Sequence, residues 1–172
     1  MRKTFASGRP GLLAFLPRFL FAARDPVPFY VLKAFPLSLL PALAIALVAT
    51  AIAPEARLPE LETEGWSAFV LLALVAPVIE TILMALLLML LLLFLRPGAA
   101  AAASALAWAM LHSLSAPIWG FSAGWSFLIF SVSFLAWKER GLFLALLVPA
   151  AIHALQNTLA GALIWAMAPP AT

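Results

Sequence analysis

The chain has 172 residues, of which 66% are hydrophobic and 10% charged, with a mean hydropathy of +1.11. A soluble domain is roughly half apolar and about a quarter charged, so this composition excludes a cytosolic globular enzyme; a disordered chain departs in the opposite direction. The absence of cysteine removes disulfides, thiolate metal sites and a cysteine nucleophile. The net charge of +3 comes from basic residues placed at the ends of apolar segments, a pattern of membrane proteins rather than of nucleic-acid binders. The expectation is an integral membrane protein.

The N-terminal segment 1–27 carries Arg2, Lys3, Arg9, Arg18 and Arg24 around "GLLAFLPRFLFAARDP". Its apolar core, Leu12 to Leu16, is short for a signal peptide, Pro17-Arg18 interrupts it, and no small-x-small cleavage site follows. Residues 11–22 are therefore predicted to form an interfacial helix on the inner leaflet, its arginines on lipid phosphates. A single transmembrane domain, 28–167, is expected after it. About 20 apolar residues cross the hydrocarbon core as a helix, and five spans are predicted: Pro28 to Ala53, Trp66 to Leu95, Ala99 to about Ala116, Phe121 to Trp137, and Leu142 to Met167. Pro97-Gly98 and Pro117 to Gly120 are read as the breaks on either side of the third span, which is short and carries Ser104, His112, Ser113 and Ser115. No internal repeat and no linker is seen.

With five spans, the basic residues Arg2, Lys3, Arg9, Arg18, Arg24, Arg96, Lys138 and Arg140 fall on one side, with Lys33 near it. The acidic loop with Glu55, Glu60, Glu62 and Glu64 falls on the other. The positive-inside rule then puts the N-terminus in the cytoplasm and the C-terminus outside, as expected of a multi-pass protein of the cell (plasma or inner) membrane.

Three ionisable residues lie deep in the spans: Glu80, His112 and His153. Each is costly there unless it faces the bundle interior, a partner or water. At about 1.5 Å rise per residue, Glu80 and His112 lie roughly 22 Å from the inner end and His153 roughly 18 Å. Three helices thus place them in one layer. His153 and Asn157 share a helix face one turn apart, with Gly161 a turn further, where it permits close helix approach. Gln156 adds a polar group in the same turn. Trp108 shares the face of His112 and is predicted to wall the site, and Pro77 loosens the helix beside Glu80. Each residue alone has an ordinary reading: an interhelical hydrogen bond for either histidine or for Asn157, a protonated carboxyl for Glu80, a packing kink for Pro77, core or lipid-facing bulk for Trp108. Their shared depth favours a common polar site.

The chemistry that fits is hydrolysis by an activated water. Glu80, helped by His112, would take the proton, and His153 with Asn157 would donate to the oxyanion. No aspartate lies in a span, and no serine has the partners of a triad. Zinc held by Glu80, His112 and His153 is the minority alternative, since three protein ligands and a water make a catalytic zinc site. It would consume the only base, and no His-Glu-x-x-His motif is present. The leading expectation is no cofactor.

Three ordered elements, "APVIETILMA" with Glu80, "WAMLH" with Trp108 and His112, and "HALQN" with His153 and Asn157, resemble the CPBP family of glutamic-type intramembrane proteases, which groups CAAX proteases and bacteriocin-processing enzymes. That family shows Glu-Glu-x-x-x-Arg, then Phe-x-x-x-His, then His-x-x-x-Asn or Asp in successive spans. The resemblance covers about residues 66 to 167. It implies Glu80 as base, His112 as its partner, His153 and Asn157 as oxyanion stabilisers, and a membrane-associated protein or peptide as substrate. Thr81 stands for the family's second Glu, Ala85 for its Arg and Trp108 for its Phe. Two other classes remain: an inactive immunity or scaffold relative, and a proton or ion carrier, the latter disfavoured by the lack of repeats and the small number of spans.

Overall fold

The computed structural model describes residues 11–53 and 66–167. Five long helices build it, with no strand among the described residues: α1 (Val27–Ile52), α2 (Trp66–Leu91), α3 (Pro97–Ser115), α4 (Pro117–Trp137) and α5 (Leu142–Met167). Four of them, α1, α2, α4 and α5, are long and apolar enough to cross a membrane. The third, α3, has 19 residues, about 28 Å of helix, but alanines, serines and His112 replace the leucines of the others. The all-helical bundle agrees with the sequence. The basic Arg2, Lys3 and Arg9, the acidic loop with Glu55, Glu60, Glu62 and Glu64, and the C-terminal tail lie outside the described residues.

Two local expectations are corrected. Segment 11–22 is not one surface helix but two 3-10 turns, Gly11–Leu13 and Arg18–Phe21. Pro17 between them lacks the N–H that would continue a helix. Leu13, Leu16, Leu20 and Phe21 are buried in the bundle core, while Leu12 and Phe15 stay exposed. The Tyr30 hydroxyl pins this segment, donating to the Leu20 carbonyl at 2.9 Å and sharing a hydrogen bond with Ser133 of α4 at 3.2 Å. Second, the break after α3 is far tighter than Pro117 to Gly120: Ala116 alone is non-helical, and α4 starts at Pro117, where a missing N–H costs nothing.

The resulting α3–α4 hairpin is held by small residues. A Cβ on Gly120 would collide with Ser113 Oγ and the Ala109 carbonyl, and one on Gly124 would come within 2.9 Å of Ala109 Cβ. Ser131 donates to Ser104 at 3.3 Å further along. Close backbone approach of this kind is how helices associate where lipid removes the hydrophobic drive.

Helix α1 contains Pro36 and Pro41. Pro41 cannot donate to the Leu37 carbonyl four residues earlier, and Trp125 of α4 does so instead, its Nε1 at 2.9 Å. Ser122 Oγ donates to the Ala42 carbonyl at 3.1 Å. Ser38 of α1, Gln156 of α5 and Ser126 of α4 form a chain of hydrogen bonds at 2.7 and 2.8 Å. These contacts fasten α1, α4 and α5 together. At the other end, the turn Lys138–Arg140 closes on Gly141, whose φ of +114° suits only glycine.

Candidate active site

Helix α2 is not a uniform α-helix. Residues Leu71–Val75 form a π-helical turn, and the Ala76 N–H bonds to the Leu71 carbonyl, five residues back. Such turns are uncommon and recur at functional sites. Just beyond it, Glu80 projects from α2 towards α3 and α5. Its Oε2 lies 4.0 Å from His112 Nε2 and 3.8 Å from His153 Nε2. The layer inferred from helical rise is therefore a point of convergence: one carboxylate between two imidazoles from two other helices.

The His112 ring is oriented from behind. Its Nδ1 lies 2.9 Å from the Trp108 carbonyl, and a carbonyl only accepts, so Nδ1 carries hydrogen and Nε2 faces Glu80. Trp108 stacks on Phe127 of α4, with centroids 4.2 Å apart and planes 4° from parallel. The Trp119 ring meets His112 edge-on at 4.9 Å. His153 is only 5% exposed; Phe130 stacks on it at 4.7 Å and Phe127 meets it edge-on at 5.5 Å. Aromatic rings of α3 and α4 thus wall both imidazoles. Glu80, with 26% of its side chain exposed, is the accessible member. At 3.8 and 4.0 Å the carboxylate is too far from either nitrogen for a direct hydrogen bond and at the spacing that one small polar molecule bridges.

The remaining predicted residues divide. Trp108 walls the site as expected. Asn157 does not meet Glu80: its Nδ2 donates to the Leu72 carbonyl in the π turn at 3.0 Å. Gln156, one residue earlier, faces away towards Ser38 and Ser126. Thr81 and Ala85, which follow Glu80 on α2, are both buried at 2% exposure, and Thr81 Oγ1 has no hydrogen-bond partner among the described residues. As for zinc, no group of three or more His, Cys, Asp or Glu side chains is disposed to hold a metal ion among the described residues. Sequence reasoning missed Trp119, Phe127 and Phe130. Phe127 and Phe130 share a face with Trp119, Phe134 and Trp137, so spacing announces an aromatic face on α4 but not which of its rings meet the histidines.

No family model matches the chain, and comparison with curated proteins and with solved structures likewise finds no similar protein.

Proposed function

We propose that the chain is an intramembrane endopeptidase that hydrolyses a peptide bond of a membrane-associated protein or peptide by a glutamate-activated water, in the manner of the CPBP proteases it resembles. The observation that carries the reading is the carboxylate of Glu80 set between His112 and His153 at bilayer depth. A group so costly to bury is retained where it does chemistry.

In this mechanism a water sits against Glu80 Oε2 and His112 Nε2. Glu80 takes its proton as the hydroxyl oxygen bonds to the scissile carbonyl carbon, whose π electrons move onto oxygen. His153, whose Nε2 faces the same carboxylate at 3.8 Å, would carry its hydrogen there and donate to that oxyanion. The walls of Trp108, Phe127 and Phe130 exclude bulk water and so strengthen each hydrogen bond. The oxyanion then re-forms the carbonyl, the carbon–nitrogen bond breaks, and the proton held by Glu80 passes to the departing amine. On the proposed topology the N-terminus and the turn at 138–140 are cytoplasmic and the C-terminus is outside.

The test compares membranes of cells expressing the wild type with those expressing Glu80→Gln at equal level, by mass spectrometry of newly formed protein N-termini. Termini that depend on Glu80 are expected. Their absence from both samples, with a phenotype that survives Glu80→Gln, would make the protein a scaffold or immunity factor. A proton flux in liposomes that Glu80→Gln abolishes would make it a carrier.

A further inference from the structure

We infer that Asn157 is a positioning residue that fixes the π turn of α2 and, through it, the aim of Glu80, rather than a donor to the reacting carbonyl. The inference rests on the reading of Glu80 as the base. Its starting point is the Leu72 carbonyl. In an α-helix the Ala76 N–H would close on it, but that N–H goes to Leu71. In the π register residue 77 would close on it, but Pro77 has no N–H. Both backbone donors are thus unavailable, and Asn157 Nδ2 supplies the bond at 3.0 Å. An unpaired carbonyl in a bilayer is costly, so the π turn and Asn157 depend on each other.

Gly161, one turn beyond Asn157, completes the seat. A Cβ there would come within 3.2 Å of Leu72 Cδ2 and 3.4 Å of the Phe69 ring. Helices α2 and α5 therefore run antiparallel in matched steps: His153 beside Glu80, Asn157 on the Leu72 carbonyl, Gly161 against the Leu72 and Phe69 side chains. The π turn inserts one residue relative to an α-helix, which turns everything after it by about 100°. Were the turn to relax, Glu80 would swing off the two imidazoles. The Asn-Gly stripe of α5 and Pro77 of α2 are then one device, with Pro77 creating the vacant carbonyl that only Asn157 fills.

The test exploits the presence of just two histidines in the chain. Isotope-labelled imidazole nitrogens are read by solid-state NMR in lipid bilayers, beside cleavage of the substrate identified by the terminus comparison above. His112 is the reporter, because it lies on α3 and faces Glu80 of α2; Phe127 also joins it to His153 of α5, and Pro77→Ala, which acts on α2 alone, separates the two routes. Glu80→Gln calibrates the shift. Asn157→Leu is expected to move the His112 resonance in the uncleaving, substrate-free protein and to lower activity by about tenfold or more, since a misplacement of about 1 Å costs on the order of 100-fold. Adding Pro77→Ala restores an N–H beneath the Leu72 carbonyl, and the double variant is expected to regain the wild-type His112 signal and most of the activity. Gly161→Ala, which touches no hydrogen bond, is expected to move the same resonance. An unmoved His112 signal in Asn157→Leu, or a shift that Pro77→Ala does not reverse, overturns the inference. Should Asn157→Leu not fold, an unmoved signal in Gly161→Ala overturns it. An inactive wild type in which these shifts still occur would remove the protease reading and leave the positioning of Glu80 standing.

Discussion

Among single residues, the members of the site differ in what their loss should do. Glu80→Gln keeps the shape of the side chain but cannot take a proton, so cleavage should vanish while the protein still reaches the membrane and elutes as a folded species on size-exclusion chromatography. Thr81 offers the contrast: its hydroxyl is buried and unpaired among the described residues, and replacing an unsatisfied polar group by an apolar one is near neutral or stabilising. Thr81→Val should therefore leave activity intact and hold or raise the melting temperature in detergent. Chelator treatment should not change cleavage. Activity lost to a chelator and restored by zinc would instead turn Glu80, His112 and His153 into ligands. The shared depth of these three residues was legible from helical rise alone, since each step along a helix has a known length. The aim of Asn157 was not, because which carbonyl lacks a donor depends on a π turn that no residue pattern announces.

For the helices, Pro41 and Pro77 are informative because each frees a carbonyl that another helix satisfies. Trp125→Phe should leave the Leu37 carbonyl unpaired and cost about 1 kcal/mol or more of stability, measured by denaturant titration in mixed micelles. Adding Pro41→Ala restores a backbone donor to that carbonyl, so the double variant should recover part of the loss, a coupling that a simple packing defect would not give. In the α3–α4 hairpin, Gly120→Ala should be destabilising by about 1–3 kcal/mol, since its Cβ would meet the Ala109 carbonyl, backbone that cannot rotate away. The hairpin break was predicted too wide because prolines were read as ends of spans, whereas Pro117 is the first residue of a helix.

Across the whole molecule, four of the described basic residues sit in connections at one end of the bundle: Arg24 before α1, Arg96 between α2 and α3, Lys138 and Arg140 between α4 and α5. On the proposed topology of five antiparallel helices this end is expected to be cytoplasmic. A reporter fused at residues 138–140 should read as cytoplasmic and one after Thr172 as outside. Both readings inverted, outside at residues 138–140 and cytoplasmic after Thr172, would mean that α3 does not cross, leaving the four helices of sufficient length and apolarity. The N-terminal segment also belongs to this scale. Because Leu13, Leu16 and Leu20 are buried in the bundle, deletion of residues 11–22 should lower the melting temperature, where loss of a helix merely resting on lipid would not.

Sequence by itself determined the all-helical class, the approximate ends of the helices and the common level of Glu80, His112 and His153. Composition and axial position are properties of one helix at a time, counted along a regular rise. Rotation about the helix axis is different, because it is set by what the neighbouring helix offers. Only the tertiary structure decided that Gln156 turns to Ser38 and Ser126, that Asn157 is taken up by Leu72, that Phe127 and Phe130 flank His153, and that residues 11–22 leave the surface for the core. In lipid each polar group takes whichever partner the packing brings within reach, and that packing is fixed by small residues and unpaired carbonyls whose consequences appear when helices meet.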